Sequence, residues 1–295
     1  SKGDGIDKIS IPGILNKKSP SIVPAPKIHS LDDLGLPDYD TGHQFVLCDN
    51  KIVKLTNKFI SEYLRYSYKT MISRGCLFDC TYCCNNFIKK IEENDFPPIR
   101  WRSLDLQIEE LKMAKNIIEN LSAIEFLDDT FLAMPYSRIK DFANKYKEQI
   151  DLKFGILSSP INVSYEKLRV LAEAGLNFVG IGIQSAYEPV RQLYRRRENL
   201  EQIKNDSEII DRVSKEIKRR ITVKYDFIVD NPWGGQRDVE ESIRFALSLK
   251  KPFHLAIFSL VFYPGTELYE KAKSEGLIND DLNQIYRVTH LTLKF

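Results

Sequence analysis

Residues 73–84 have the sequence Ser73-Arg74-Gly75-Cys76-Leu77-Phe78-Asp79-Cys80-Thr81-Tyr82-Cys83-Cys84. The cysteines at positions 76, 80 and 83 form a C-x3-C-x2-C pattern, and a fourth cysteine follows directly. Three thiolates in one loop can hold three irons of a cubane iron–sulfur cluster and leave the fourth iron open to another ligand. The alternative is a zinc knuckle, but zinc prefers four ligands in two separated pairs, and no histidine lies nearby. The pattern therefore favours a cluster with an open iron.

The composition is that of a soluble globular protein. Of 295 residues, 43% are hydrophobic and 28% are charged, which excludes disorder, collagen and coiled coil as the main structure. The 43 Lys and Arg residues nearly balance the 41 Asp and Glu residues, so the overall charge does not indicate nucleic acid or an acidic membrane as a partner. Five cysteines, four of them crowded together, favour metal or redox chemistry over a disulfide framework.

No stretch of the chain is apolar enough to predict a membrane span. The most apolar run, from Leu255 to Tyr263, is nine residues long and predicts a buried strand. The sequence opens with Ser1-Lys2-Gly3 and shows no apolar signal core after it, so we expect a cytoplasmic protein.

From residue 66 onward, short β-rich runs alternate with longer segments of helical period, which predicts βα units around a parallel sheet. Helices are expected to begin near Ser103 and Ser164, and Gly175 has the position of a helix-ending glycine. Six βα units are too few for an eight-stranded barrel, so an open barrel and a wound sheet are the candidates. The predicted strands are Tyr68–Ser73, Ala123–Leu127, Lys153–Leu157, Phe178–Ile183, Val223–Val229 and Leu255–Phe262.

The first 65 residues differ from the rest. Prolines at positions 20, 24, 26 and 37 break helices, and hydrophobic periodicity is weak. We therefore predict an irregular connector over residues 1–65 that packs on the barrel, an α/β unit over 66–265 and a short C-terminal extension over 266–295.

Polar residues stand where the predicted strands end, which is the edge at which α/β proteins place their chemistry. Each has a structural alternative: the acidic pair after strand two could cap a helix, the serines after strand three could make a turn, and the arginine beyond strand four could lie on a solvated helix. The candidates are Asp128 and Asp129, Ser158 and Ser159, Gln184 and Ser185, and Arg196.

The cysteine spacing at the end of strand one resembles that of the radical S-adenosylmethionine (radical SAM) superfamily. The resemblance implies a partial (β/α)6 TIM-like barrel, a 4Fe-4S cluster held by Cys76, Cys80 and Cys83, and SAM bound to the open iron. It leaves Cys84 and Cys48 as spare, small buried thiols and assigns no catalytic side chain beyond the cluster and SAM. It further implies that Tyr82 contacts the adenine, Asp128 and Asp129 the SAM amino group, Ser158 and Arg196 its carboxylate, and Gln184 and Ser185 the ribose.

Segments outside the barrel resemble one cobalamin-dependent subgroup of that superfamily. They are Ile11-Pro12-Gly13-Ile14, residues 30–40 and Ile99-Arg100-Trp101-Arg102-Ser103. The resemblance implies an enzyme that methylates carbon, with cobalamin supplied by a domain that this chain lacks. Either the sequence is a fragment or this member works without that domain.

Further expectations come with that resemblance. They are an external one-electron donor such as flavodoxin or ferredoxin and a small-molecule or peptide substrate. Hydropathy predicts no membrane partner, and the balanced charge does not indicate nucleic acid. Two rival interpretations stay open: a cobalamin-free radical SAM enzyme performing cyclisation, oxidation or sulfur insertion, and a non-catalytic iron–sulfur or zinc-binding module.

Overall fold

The computed structural model describes residues 28–39, 41–91 and 97–288. Its centre is a sheet of six parallel strands in the spatial order β10-β9-β8-β7-β6-β3. All six predicted strands are present, with ends shifted by up to three residues, and the two edge strands make this an open barrel rather than a closed one. The strands are β3 (Ser67–Thr70), β6 (Ala123–Phe126), β7 (Lys153–Ser158), β8 (Leu176–Gln184), β9 (Thr222–Val229) and β10 (Phe253–Ser259).

Helices follow the strands and cover the outer face of the sheet. Several begin at a residue whose side chain accepts a backbone N–H of the first turn, as Ser103 does from Leu106 and Ser164 from Lys167, so these sequence-predicted starts are confirmed. The helices are α2 (Cys84–Ile91), α3 (Leu104–Ile117), α4 (Tyr136–Gln149), α5 (Tyr165–Glu173), α6 (Glu188–Tyr194), α7 (Leu200–Glu216), α8 (Gly235–Ser248) and α9 (Glu267–Ser274).

Alternate residues of each strand face two different environments. The outward residues pack under the helices, where an aromatic cluster with ring centroids 4.7–6.3 Å apart fills the space. The inward residues include glycines and ion pairs such as Lys224 with Asp226, 3.1 Å apart. The hollow on this inner face has a cavity volume of 450 Å³. The aromatic cluster consists of Phe126, Phe131, Phe142, Tyr146 and Phe154.

The connector is more regular than we expected for residues 45–63. Strands β1 (Phe45–Cys48) and β2 (Lys51–Lys54) form a hairpin, and α1 (Asn57–Tyr63) follows. Asp49 and Asn50 have φ of 48° and 60°, as a tight two-residue hairpin turn requires. The predictions that fall on residues 1–27 lie outside the described residues.

Residues 28–39 of the connector lie against the start of α3. The Asp32 carboxylate accepts the Ser103 N–H at 2.8 Å, and the Arg102 guanidinium donates to the Gly35 carbonyl at 2.9 Å. The connector is therefore held by hydrogen bonds to the residues that open the first long helix.

No helix within the described ranges is long and apolar enough to cross a membrane.

Candidate functional site

The cysteine loop follows a short strand that is paired with one other strand. Strand β4 (Ser73–Arg74) pairs antiparallel with β5 (Arg100–Trp101), and α2 begins at Cys84. Gly75, directly after β4, has φ +99°, and a Cβ there would collide with the Pro98 carbonyl. Only glycine fits this turn, so the chain is fixed just before the first cysteine of the pattern.

The carboxylate of Asp128 anchors the start of this loop. It accepts the backbone N–H of Ser73 at 2.7 Å and of Ile72 at 3.2 Å, and it also accepts the Ser73 hydroxyl. The residue is fully buried, and burial raises the pKa of its carboxyl to about 6, although these hydrogen bonds oppose the rise. Asp128 is not part of the cavity wall described below, and its side chain braces the loop; the expected contact of Asp128 with SAM stays a prediction.

Cys76, Cys80 and Cys83 line one cavity of 260 Å³ at the carboxyl ends of the strands. Cys84 is exposed and Cys48 is half-buried on the hairpin, so neither is the buried thiol that we expected. Burial raises the pKa of the Cys76 thiol and raises that of Cys83 to about 12. Both thiols are therefore protonated at neutral pH until a metal displaces the protons.

Within the described ranges, no three Cys, His, Asp or Glu side chains surround one point as the ligands of a single metal ion would. A cubane cluster does not need three ligands around one point, because each thiolate binds a different iron.

The wall opposite the cysteines is polar and has room for a ligand. Ser158, the last residue of β7, and Ser159, directly after it, lie there, and within the described part of the chain the buried Ser159 hydroxyl has no hydrogen-bond partner. Buried polar atoms are rarely left unpaired, so this hydroxyl indicates a ligand group in the cavity. Gly180 and Gly182 of β8 form the adjoining wall, and a Cβ on Gly180 would lie 2.6 Å from Leu157.

Unlike Asp128, Asp129 is part of the wall of the cavity. Burial raises the pKa of this carboxyl, and a hydrogen bond with the Asn85 side chain works in the opposite direction. Asn85 belongs to the first turn of α2, so the helix that follows the cysteines also orients the acid. The pair presents hydrogen-bonding groups beside the thiols.

Gln184 ends β8 in a conformation that turns it into the cavity. Its φ is +73°, and the pairing of β8 with β9 shifts register at this residue. Such a backbone is unusual for a side chain other than glycine's and is typical of functional sites.

The next residue, Ser185, points elsewhere: it is fully buried, and its hydroxyl donates to Asp238 at 2.5 Å and accepts the Tyr187 N–H at 3.0 Å. The expected ribose contact of Ser185 stays a prediction, and this hydroxyl already has two partners within the fold.

A second cavity of 240 Å³ lies between Tyr82, Gln184 and the end of β10. Tyr82 also lines the first cavity and packs edge-on against Tyr194, with ring centroids 4.8 Å apart. The aromatic ring before the last cysteine of the pattern therefore lies where the two cavities meet, and its neighbour fixes its position.

The model of the radical SAM superfamily matches residues 70–246. That match covers more than half of the chain. The chain belongs to the radical SAM superfamily. Membership implies a 4Fe-4S cluster and SAM, and the three thiols and the polar wall fit both groups.

Two curated methyltransferases are similar to this radical SAM chain. An uncharacterised methyltransferase from Pyrococcus horikoshii is 28% identical over 260 residues, which are 86% of this chain and 50% of that protein. The bacteriochlorophyllide d C-8(2)-methyltransferase of Chlorobaculum tepidum is 27% identical over 229 residues, which are 76% of this chain and 48% of that protein. The chain thus spans about half the length of these relatives.

Two solved structures share the fold of this chain. The methyltransferase TsrM from Kitasatospora setae, solved with tryptophan and a SAM analogue, matches 72% of this chain and 40% of its own with a TM-score of 0.55 and 15% identity. Methylornithine synthase matches 69% of this chain and 56% of its own with a TM-score of 0.53 and 14% identity. The partial-barrel fold class that we predicted is confirmed by these matches.

Arg196 follows the end of α6 and is buried, which sets it apart from its exposed neighbours Arg195 and Arg197. Its guanidinium lies on the first cavity and bonds the Gly182 carbonyl at 2.6 Å and the Glu198 carboxylate. The alternative of a solvated helix start does not hold for this side chain.

Glu198 carries no signal in the sequence, because an acid two residues beyond an arginine is commonplace on protein surfaces. Its near-complete burial, which only the fold shows, distinguishes it.

Proposed function

We propose that this chain is the SAM-cleaving barrel of a radical SAM enzyme and that the whole protein methylates carbon with the help of cobalamin. One observation carries the first part: three cysteine thiols, a carboxylate, an amide and an unpaired buried hydroxyl converge on one cavity. When bound, the cluster and SAM supply the reductive cleavage that yields a 5′-deoxyadenosyl radical.

The proposed roles of the side chains follow from their places on the wall. Cys76, Cys80 and Cys83 hold the cluster. Asp129 binds the SAM amino group, and the serines at the end of β7 donate to its carboxylate. Gln184 binds the ribose hydroxyls, because its amide can both donate and accept hydrogen bonds.

The adenine is proposed to occupy the second cavity, beside Tyr82. Asp230, at the end of β9, has φ +58°, and its carboxylate accepts the Ser259 hydroxyl at 2.5 Å. This left-handed backbone is one that favours glycine, so Asp230 is an unusual residue at this turn. The hydrogen bond to Ser259 ties β9 to β10 at the rim of this cavity.

Methyl transfer is supported by the names of the two curated relatives, since both are methyltransferases. Cobalamin would come from a part of the protein beyond this chain, with residues 66–265 as the barrel, 1–65 as a connector packed on it and 266–295 as a short extension. The exposed face of the hairpin suits such an arrangement, because Leu47 and Ile52 are 74% and 78% exposed there.

The test uses the natural full-length protein, reconstituted anaerobically with iron, sulfide and hydroxocobalamin. With SAM and a low-potential one-electron donor, we expect both 5′-deoxyadenosine and S-adenosylhomocysteine as products. The Cys80→Ala protein is the control and should form no 5′-deoxyadenosine. A protein that binds no cobalamin and yields only 5′-deoxyadenosine would exclude methyl transfer and leave a cobalamin-free radical SAM reaction.

A further inference from the structure

An arginine side chain lies against the sulfur of Cys80. One terminal nitrogen of Arg196, Nη1, is 3.6 Å from the Cys80 Sγ, which is hydrogen-bond distance for sulfur. Both side chains are buried: Cys80 is 7% exposed, and so is the side chain of Arg196. A cationic N–H donor directed at a thiolate in a site of low water content forms a strong, charge-assisted hydrogen bond.

The other terminal nitrogen fixes the orientation of the guanidinium. Nη2 donates to the Gly182 carbonyl at 2.6 Å and to the Glu198 carboxylate. The Glu198 side chain is only 1% exposed. The remaining donor, Nε, is buried and has no partner among the described residues, so it is free to meet a ligand group.

Glu198 is itself held in place by its backbone. Its carbonyl accepts a hydrogen bond from Arg191, whose second terminal nitrogen donates to the Ser185 carbonyl at 3.0 Å. Arg195 at the end of α6 has φ +56°, a left-handed turn that ends the helix directly before Arg196. The carboxylate therefore has a fixed position from which to orient the guanidinium.

We propose that Arg196 raises the reduction potential of the cluster through its hydrogen bond to the Cys80 sulfur and that Glu198 is the positioning residue that keeps it there. The inference rests on the proposed ligation of the cluster by Cys80. A low-potential one-electron donor gives the oxidised cluster one electron; no covalent bond forms or breaks, and the guanidinium keeps its proton. The added negative charge spreads onto the sulfurs, so a donor on Cys80 stabilises the reduced form more than the oxidised form.

The experiment is a redox titration of the reconstituted holoprotein, in which electron paramagnetic resonance follows the reduced cluster. Arg196→Lys keeps the positive charge but removes the rigid fork of donors. We expect the reduction equilibrium constant to fall about tenfold, which is about 59 mV for one electron. Arg197→Gln removes a charge from an exposed side chain nearby and should leave the potential unchanged. An unchanged potential in Arg196→Lys would overturn the role of the hydrogen bond.

The sign of the shift tests Glu198. Removing a buried negative charge alone makes a cluster easier to reduce, so a purely electrostatic role predicts a higher potential for Glu198→Ala. Loss of positioning releases the guanidinium from Cys80 and predicts a lower potential, which is our expectation. Glu198→Gln keeps an oxygen that accepts from Arg196, and its potential should not fall below that of the native protein.

Two outcomes contradict the positioning role: a higher potential in Glu198→Ala, or an equal fall in both Glu198 variants. If Glu198→Ala assembles no iron, Glu198→Gln tests the positioning role by itself, and a potential below that of the native protein contradicts that role. If the native protein itself assembles no cluster, the proposed function fails. If the cluster assembles and Arg196→Lys titrates like the native protein, only the present inference fails.

Discussion

The two faces of the parallel sheet differ in how tightly their side chains are packed. On β6, Phe126 points outward and is 1% exposed, whereas Leu127, directly after the strand, is 39% exposed and lines the inner cavities. Phe126 packs on four aromatic neighbours, whereas two of the inner positions of β8, Gly180 and Gly182, are glycines that line the cysteine cavity. The side chains of the outer face pack closely and stabilise the fold, whereas the inner face is less densely packed and leaves room for ligands.

The largest expected effect on the inner face is complete loss of the cluster. Replacing Cys76, Cys80 or Cys83 by Ala removes one of three ligands, so the reconstituted chain should no longer hold the ~4 iron and ~4 sulfide of one cubane. Cys84→Ala is the matched control, because this exposed thiol is adjacent to the pattern and outside the cavity wall. Iron and sulfide analysis with the visible spectrum measures both results. A Cys84→Ala protein that lost its iron would show that the ligand set is wrong.

The outer face should respond with the largest loss of stability. Phe142 is fully buried in the aromatic cluster, and Phe142→Ala should lower the free energy of unfolding by about 3–5 kcal/mol. Leu127→Ala on the inner face removes a side chain that already contacts water, so we expect a loss of about 1 kcal/mol or less. Chemical denaturation followed by circular dichroism compares the two. Equal losses would contradict the division of roles between the faces.

Asp206 of α7 is an acid within the outer layer and gives that layer a pH dependence. Burial, with Glu198 nearby, raises the pKa of its carboxyl to about 7 from 3.8. The protonated form is favoured by folding, so this contribution to stability is complete below about pH 4 and is lost as the pH rises through 7. Asp206→Asn should remove a decline of about 2 kcal/mol between pH 5 and pH 7. Unfolding curves at both pH values provide the measurement, and an identical decline in the Asn variant would show that another group causes it.

A smaller effect is expected when single ligand-facing groups are removed from the inner face. Gln184→Ala and Asp129→Ala should each weaken SAM binding about 10- to 100-fold, because a buried polar group of the ligand loses its partner at a cost of about 1–3 kcal/mol. The cluster itself should remain. Asp105→Ala, an exposed acid on the outside of α3, serves as the control for the loss of a carboxylate. Titration of the cluster spectrum with SAM gives the affinities, and native affinity in both cavity variants would refute their assignment.

The outer face was largely predictable because burial imposes a period on the sequence. The strands and most helices follow from that period and from caps such as Ser103 and Ser164. The strand β10 was predicted as buried from its apolar run, but it is an edge strand, and Leu255 and Ile257 are 47% and 50% exposed. Periodicity records which residues are apolar and not whether a neighbouring strand covers them.

The inner face was predictable only where a motif marks it. The cysteine spacing indicated the loop that is proposed to hold the cluster. The sequence Asp128-Asp129 did not show which carboxylate faces the cavity, because the local turn of the backbone sets the direction of each side chain. Ser185 likewise follows a residue with positive φ, and that backbone reverses the direction of its side chain. The hairpin had a signal that we missed: Asp49 and Asn50 both tolerate the left-handed backbone that a two-residue hairpin turn requires.

We propose that the three cysteines and the polar wall form one site in which SAM binds the open iron. The most direct measurement is electron nuclear double resonance on the reduced cluster of the reconstituted chain, with SAM carrying ¹⁵N in its amino group. We expect a ¹⁵N hyperfine coupling that is absent without SAM and weakened in Asp129→Ala. A chain that assembles the cluster but shows no coupling at saturating SAM would contradict it.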